Sequence, residues 1–180
     1  MTVFFTCCSL LITHYPSLNF KMKHVYWVRE KELAGRPGPD MEPWKPKALY
    51  KGGIRAILTL NGGRAVDEKA LAKAGLEHYK ISIPITEPPQ MEAIEIATDL
   101  LPGAYAWVSQ KIREAKPVLV HCSHGNDRTG LFLLYFLVRY EDLTVQEALR
   151  KLKIIRPSIL IAFGWENLAY ELIPKLVKRS

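Results

Sequence analysis

A cysteine and an arginine, Cys122 and Arg128, stand six positions apart in the segment PVLVHCSHGNDRTGLFLLY. The segment runs from an apolar stretch typical of a buried strand to one typical of a buried helix. The loop between them, Ser123–Gly130, can direct successive N–H groups at an anion, and the helix N-terminus adds its positive end. The same field favours the thiolate form of Cys122. Arg128 can turn back and bind two oxygens of the anion, so the spacing predicts a nucleophile and a charge clamp in one pocket.

This interpretation depends on the combined spacing of the cysteine, the arginine and two glycines. A single cysteine at a strand end is usually a small buried apolar side chain, and a single arginine is usually a surface charge. Gly125 and Gly130 change the balance, because Gly125 gives the backbone room to curl between the strand and the helix. Together the residues favour an anion-binding catalytic loop.

Four apolar or β-branched runs predict the strands that position this loop. Strands that alternate with helical patterns favour a mainly parallel sheet. We therefore predict an α/β fold with a central, mainly parallel sheet of about four to five strands flanked by helices. The stretch AGRPGPDMEPW is rich in Gly and Pro and is predicted to be an ordered surface loop. The strand runs are HVYWV (24–28), IRAILTLN (54–61), LEHYKISIP (76–84) and VLVH (118–121).

Apolar periodicity and capping residues predict the helices. The run LFLLYFLVRY is apolar on nearly every face, which indicates a buried central helix after Thr129. Thr144 and Glu147 have the spacing of a capping box for the next helix. The other predicted helices are Pro46–Lys51, a short helix from the N-cap Asp67 to Gly75, a long helix over Gln90–Ala115 with a break allowed at Pro102, and a terminal helix over Gly164–Lys178.

Length and composition fit one catalytic domain, 23–180, with a short N-terminal extension, 1–22. The chain has 180 residues, 48% of them hydrophobic and 24% charged. The apolar run Val3–Ile12 is too short to span a bilayer and lacks the cationic start of a signal peptide. The three cysteines, Cys7, Cys8 and Cys122, show no disulfide or zinc spacing, which predicts a reducing, cytoplasmic location.

The net charge of +7 and the pI of about 9.3 favour an anionic partner. The basic residues are scattered, so charge alone does not indicate a nucleic acid. The five histidines lack the helical i, i+4 pair that metal sites use, and the sequence has no CxxC pair. We predict a monomer that has no membrane span and uses no metal or other cofactor.

The segment HCSHGNDRTG resembles the HCxxGxxRTG signature of cysteine-dependent phosphatases, the protein-tyrosine and dual-specificity group. The resemblance extends over most of 23–178 and is to the compact, single-domain members. It implies a phosphocysteine intermediate at Cys122, a transition state stabilised by Arg128, and a leaving thiolate supported by Thr129. It also implies that His121 is a buried residue that orients the loop. The residues predicted to bind phosphate are Ser123, His124, Gly125, Asn126, Asp127 and Arg128.

Two carboxylates are candidates for the general acid that protonates the leaving oxygen. Compact members of the family carry an aspartate after a strand that ends in Ile-Pro, and the aligned stretch IPITEPPQM has Glu87 at about that place. Asp127 is the second candidate, because the DRT ending resembles phosphoinositide phosphatases in which an acid beside the arginine is proposed to act. Alternatively, Asp127 pairs with a lysine or arginine of a neighbouring loop, and Glu87 is an exposed loop carboxylate.

A further residue must orient the water that hydrolyses the intermediate. Members of the family commonly use a glutamine shortly after an Arg-Pro pair, and no glutamine follows the pair at 156–157. Asn167 or Glu166 could substitute for it. Trp165 and Phe163 are assigned to the core.

The resemblance implies a dual-specificity phosphatase acting on a phosphorylated protein or a small phosphorylated substrate. Arg36, in the stretch AGRPG that looks like a first substrate-facing loop, is a candidate substrate contact, with a surface arginine as the alternative. Other substrates stay open: His124 resembles the HCTHG motif of RNA 5′-triphosphatases, and Asp127 suggests phosphoinositides or inositol phosphates. A catalytically silent phosphate-binding module is a further alternative, which the missing aspartate and glutamine favour and the intact Cys122 and Arg128 oppose.

Overall fold

The computed structural model describes residues 22–178. The predicted extension, with Cys7, Cys8 and the run Val3–Ile12, therefore lies outside the described residues apart from Met22. The strands are β1 (Tyr26–Arg29), β2 (Leu33–Pro37), β3 (Ala56–Thr59), β4 (Glu77–Lys80) and β5 (Val118–Cys122). The helices are α1 (Pro46–Lys51), α2 (Glu68–Lys73), α3 (Met91–Arg113), α4 (Asp127–Tyr140), α5 (Val145–Ile155) and α6 (Trp165–Lys178).

The strands form one five-stranded sheet in the order β1-β2-β5-β3-β4. β1 pairs antiparallel with β2, and the other pairings are parallel, which confirms the predicted α/β sheet. In the central strand β5, His121 lies opposite Arg36 on one side and Thr59 on the other. The carboxyl ends of β2, β5 and β3 therefore meet at one edge, where ligands bind in sheets of this kind.

β2 corrects the loop predicted for AGRPGPDMEPW. Its first residues belong to a strand in which every residue is buried, with β1 on one side and β5 on the other. The local Gly and Pro signals fail because hydrogen bonding on both sides stabilises the extended backbone. Gly35 also makes room for a neighbour, since an added Cβ would lie 2.3 Å from Cζ of Tyr26.

α4 is the predicted central helix, and every residue from Asp127 to Val138 is buried. It packs against β5, α5 and α6. The helix begins earlier than expected, because the carbonyl of Asn126 already accepts a hydrogen bond from the N–H of Gly130 at 2.7 Å. The loop after β5 is therefore shorter than the predicted Ser123–Gly130.

The other helices lie close to their predicted positions. α3 continues through Pro102 without a break. The side chain of Asp67 accepts from the N–H of Ala70 at the start of α2, and Thr144 and Glu147 form the predicted capping box of α5. Within the part of the chain that the structure describes, no helix combines the length and the hydropathy needed to cross a membrane.

Candidate active site

Residues Cys122–Arg128, hereafter the signature loop, connect the last residue of β5 to the first turn of α4. At Gly125 the loop adopts a φ of 71°, which residues with a side chain disfavour. An added Cβ would also lie 2.5 Å from the carbonyl carbon and oxygen of Arg36. Glycine at this position therefore permits both the curl of the loop and its close approach to β2.

The surrounding scaffold donates hydrogen bonds to the carbonyl groups of the signature loop. The N–H of Gly38 donates to the carbonyl of Ser123 at 2.7 Å, and the hydroxyl of Tyr26 donates to the carbonyl of Gly125 at 2.7 Å. In a trans peptide unit the N–H points away from the C=O. The amides of these peptide units therefore face the inside of the loop, an arrangement that suits an anion.

Arg156 and Ser158 hold the loop through Asn126. The Nε of Arg156 and the hydroxyl of Ser158 each donate to Oδ1 of Asn126 at 3.0 Å. Arg156 also reaches the carbonyl of His124 at 3.4 Å, and its guanidinium lies over the ring of Tyr26, 5.1 Å from the ring centre. Burial raises the pKa of Tyr26, and this outweighs the lowering effect of Arg156, so the phenol stays protonated and remains a donor.

Cys122 is buried at the end of β5, with 2% of its surface exposed. The hydroxyl of Thr129, in the first turn of α4, donates to Sγ of Cys122 at 3.2 Å. This contact places the sulfur at the N-terminal end of α4, where the helix dipole contributes positive potential. The hydrogen bond and the dipole both stabilise negative charge on the sulfur.

Arg128, the last residue of the signature loop, is buried. Its Nη1 donates to the carbonyl of Ile83 at 3.2 Å, and its Nη2 lies 3.5 Å from Oγ of Ser123. The Nε of Arg128 is buried and has no acceptor among residues 22–178. The guanidinium therefore keeps a donor for an anion bound by the loop amides.

A chain of hydrogen bonds leads from the signature loop to the edge strand β4. Burial lowers the pKa of His121 to about 4, so the imidazole is neutral near pH 7. Its Nδ1 lies 3.2 Å from the carbonyl oxygen of Cys122 and must carry the proton, so its Nε2 accepts from the hydroxyl of Thr59 at 2.7 Å. Thr59 in turn accepts from Nε2 of His78 at 2.9 Å. These contacts hold His121 in one tautomer.

Asp127, the first residue of α4, is 7% exposed. Its Oδ1 accepts a hydrogen bond from the backbone N–H of Ala162 at 3.0 Å. The carboxylate is therefore bound to a backbone amide and attaches the segment before α6 to the signature loop.

Glu87 is exposed and lies on the segment between β4 and α3. The carbonyl of Ile83, at the start of this segment, accepts from Arg128. The carbonyl of Thr86 accepts from Nε1 of Trp165 at 3.1 Å. The segment before Glu87 is therefore held at two points, to Arg128 at Ile83 and to α6 at Thr86.

The two candidates for orienting water lie at the start of α6. Glu166 forms an ion pair with Lys153, whereas Asn167 is exposed. Trp165 is fully buried, as predicted, but Phe163 is 74% exposed. The core prediction for Phe163 is wrong because this residue belongs to the loop before α6 and not to the buried face of the helix.

Arg36 lies in β2 with 2% of its surface exposed, so the alternative of a surface arginine is wrong. Its Nη2 donates to the carbonyl of Glu42 at 2.8 Å, and its guanidinium lies 5.0 Å from the ring centre of Trp44. The side chain is thus tied to the segment after β2, while the backbone of Arg36 approaches the signature loop at Gly125.

The structure brings the predicted residues Cys122, Arg128 and Thr129 together around one loop. Sequence reasoning missed several residues that support this loop from outside. Two of them stand at the carboxyl end of β3, next to the predicted strand β5, and that position is a usable signal. They are Thr59 and Asn61, whose Nδ2 donates to Oγ of Ser123 at 3.0 Å. The others have no local signal. The missed residues are Tyr26, Thr59, Asn61, His78, Arg156 and Ser158.

Comparison with known proteins identifies the family. Residues 49–171 match the family described as dual specificity phosphatase, catalytic domain, and the chain belongs to this family. It is 27% identical to human dual specificity protein phosphatase 12 over 123 residues, which cover 68% of this chain and 34% of that protein. It is 23% identical to the tyrosine-protein phosphatase CDC14 homolog of Schizosaccharomyces pombe over 108 residues, 60% of this chain and 18% of that protein. The chain spans about a third of the length of the dual specificity relatives that it matches.

Solved structures share the architecture. Tk-PTP in its active form matches with a TM-score of 0.71 at 20% identity, covering 88% of this chain and 99% of that chain. PTPMT1 in complex with PI(5)P matches with a TM-score of 0.68 at 15% identity, covering 87% of this chain and 98% of that chain. These likenesses establish the fold and confirm the predicted protein-tyrosine-phosphatase-like architecture.

Proposed function

We propose that residues 23–180 form a catalytic domain that hydrolyses phosphate monoesters with Cys122 as the nucleophile. The sulfur forms a bond to phosphorus while the bond from phosphorus to the leaving oxygen breaks, which yields a phosphocysteine and an alcohol or phenol. Water then attacks the phosphorus and releases inorganic phosphate and the thiolate. The observation that carries the proposal is the hydrogen bond from Thr129 to the sulfur of Cys122, inside a loop whose amides face inward.

Arg128 and the loop amides stabilise the charge that develops on the transferred group. In phosphoryl transfer this charge spreads over three equatorial oxygens. The amides of the signature loop donate hydrogen bonds to these oxygens, and the guanidinium of Arg128 binds two of them. Removal of one such preorganised donor typically costs about 100- to 1000-fold in kcat. Thr129 acts in the second step, because its hydroxyl stabilises the sulfur as it leaves with negative charge.

We propose Glu87 as the general acid, in preference to Asp127. Asp127 is buried and its Oδ1 already accepts from the N–H of Ala162, whereas Glu87 is exposed four residues after Ile83, whose carbonyl accepts from Arg128. A general acid must come within about 2.6–3.2 Å of the leaving oxygen, and the longer side chain of Glu87 can move to a bound substrate.

The pH–rate profiles of Glu87→Gln and Asp127→Asn separate the two assignments. A general acid must be protonated, so its loss removes the fall in kcat at high pH. Glu87→Gln should lose this basic limb and Asp127→Asn should keep it. The opposite pattern would assign the acid to Asp127, and a basic limb in both variants would exclude both carboxylates.

A phosphorylated protein is the substrate class that we propose, with dual specificity for phosphotyrosine and phosphoserine or phosphothreonine. The family match and the relatives named dual specificity protein phosphatase support it. Within residues 22–178 Cys122 forms no disulfide, and a thiol nucleophile must stay reduced, which supports the predicted cytoplasmic location.

Phosphate release from a small aryl phosphate, with a chelator present, tests the chemistry. Wild type should release phosphate, whereas Cys122→Ser should fold and release none. Arg128→Lys, which keeps the charge but loses the planar fork, should be slower by about 100-fold or more. Turnover by Cys122→Ser would refute the thiolate mechanism. Absence of release by folded wild type on aryl phosphate, phosphopeptides, inositol phosphates and RNA 5′-triphosphate would instead indicate a phosphate-binding module.

A further inference from the structure

Three large apolar side chains beside the signature loop are exposed to solvent. Ile85 is 43% exposed, Ile161 is 69% exposed and Phe163 is 74% exposed. We call these residues the apolar rim. Grouped and exposed apolar side chains of this kind mark interaction surfaces on soluble domains.

Both segments of the rim are attached to the first turn of α4. Ala162, which lies between Ile161 and Phe163 in the chain, donates its N–H to Asp127 at 3.0 Å. On the other segment, Arg128 donates to the carbonyl of Ile83 at 3.2 Å. The residues that precede and follow these contacts are therefore held next to the phosphate-binding loop.

The two segments of the rim also hold each other. Nε1 of Trp165 donates to the carbonyl of Thr86 at 3.1 Å. Gly164 packs so closely on the other segment that an added Cβ would lie 2.8 Å from Cβ of Pro88. The two segments that carry the rim residues are thus in contact with each other, and the three apolar side chains on them are exposed.

We propose that the apolar rim binds the residues that flank the phosphorylated residue of a peptide segment, and that it selects segments in which these flanking residues are apolar. The inference rests on the proposed function, because a substrate whose phosphoryl group enters the signature loop must pass over the rim. Covering the rim with apolar side chains removes apolar surface from water on both partners, whereas polar or charged neighbours gain nothing there.

The charges around the rim favour a peptide over an anionic membrane surface. Glu87 lies two positions after Ile85 and is exposed, and Glu92 is exposed at the start of α3. The carboxylate of Glu92, and that of Glu87 whenever it is ionised, repel an anionic bilayer that approaches the rim. A peptide brings one phosphoryl group, whose charge the signature loop and Arg128 bind, and its apolar flanking residues add no negative charge at the rim.

Matched phosphotyrosine peptides test the inference. One peptide carries leucine or isoleucine on both sides of the phosphotyrosine and the other carries serine and threonine, with equal length and net charge. The measured quantity is the ratio of kcat/KM for the apolar peptide to kcat/KM for the polar peptide. The enzymes are wild type, Ile161→Ser, Phe163→Ser and the control Ile154→Ser, which removes a side chain that is 79% exposed on α5 and outside both rim segments.

Wild type and Ile154→Ser should prefer the apolar peptide by about tenfold or more, the discrimination that one or two apolar contacts provide. Ile161→Ser and Phe163→Ser should each lower this ratio several-fold. A wild-type ratio near one, or an unchanged ratio in the rim variants, would overturn the inference while leaving the proposed hydrolysis intact. Binding to vesicles of anionic phospholipid that Phe163→Ser abolishes, together with equal rates on the two peptides, would overturn it in favour of a membrane. Lack of hydrolysis of both peptides and of aryl phosphate would instead refute the proposed function.

Discussion

Acidification should destabilise the fold through His121. The side chain is fully buried, and burial lowers its pKa from 6.5 to about 4. Between these values the unfolded chain binds a proton that the folded protein does not, so the free energy of unfolding falls as the pH falls. The stabilisation is fully present above the unfolded pKa and is lost toward the folded one. At 1.36 kcal/mol for each tenfold change in proton affinity, the loss between about pH 7 and about pH 4 amounts to about 3 kcal/mol.

Denaturant unfolding of wild type and His121→Gln across this pH range measures the loss. Glutamine keeps a donor for the carbonyl of Cys122 and an acceptor for Thr59, but it does not titrate. Subtracting the two curves removes the effect of titrating carboxylates that both proteins share. One of these is Glu114, whose pKa is lowered to about 2, mainly by a hydrogen bond from Lys116. Wild type should lose about 3 kcal/mol more than the variant. Parallel curves would show that the folded protein does not keep His121 neutral, and would refute the reasoning.

Three further substitutions test the support of the signature loop. Gly125→Ala should lower the melting temperature and abolish phosphate release, because a left-handed backbone costs about 1–2 kcal/mol and the added carbon overlaps the Arg36 carbonyl; an active variant would contradict this geometry. Tyr26→Phe should reduce the free energy of unfolding by about 1–3 kcal/mol, since the Gly125 carbonyl loses its donor, and an unchanged denaturation midpoint would count against that contact. Thr59→Val should lower kcat about five- to tenfold, the rate equivalent of one hydrogen bond, whereas Thr59→Ser should not. Equal kcat values for wild type and Thr59→Val would show that the hydrogen bonds through His121 do not contribute to catalysis.

Elements whose local pattern agrees with their burial could be predicted from the sequence. The run LFLLYFLVRY is apolar on nearly every face and lies in the buried helix α4. The capping pair Thr144 and Glu147 marks the start of α5. By contrast, β2 could not be predicted, because its extended conformation depends on pairing with β1 and β5 and its own Gly and Pro content indicates a loop.

The chemistry of the candidate site was predictable where it lies in one continuous segment. Cys122, Arg128 and Thr129 come together because a strand, a short loop and a helix follow each other directly. The residues that support them come from remote parts of the chain: Tyr26 lies 99 positions from Gly125, which it contacts. No local pattern marks such a partner, since the contact exists only after the sheet has formed.

Phe163 illustrates the same limit on the substrate side. An apolar residue next to a predicted helix suggests a core position, and composition alone offers no reason to place it in solvent. In the structure Phe163 is exposed, next to Ala162, whose N–H is bound to Asp127. The feature that we connect with substrate choice therefore becomes visible only in the folded chain.

Trapping the covalent intermediate tests the proposed chemistry most directly. Wild type is mixed with an aryl phosphate, quenched in acid within milliseconds, digested and examined by mass spectrometry. We expect one added phosphoryl group on the peptide that contains Cys122, and more of it in a variant of Thr129 that slows the second step, such as Thr129→Ala. The mechanism would be contradicted if wild type released phosphate while neither wild type nor Thr129→Ala carried a phosphoryl group on Cys122.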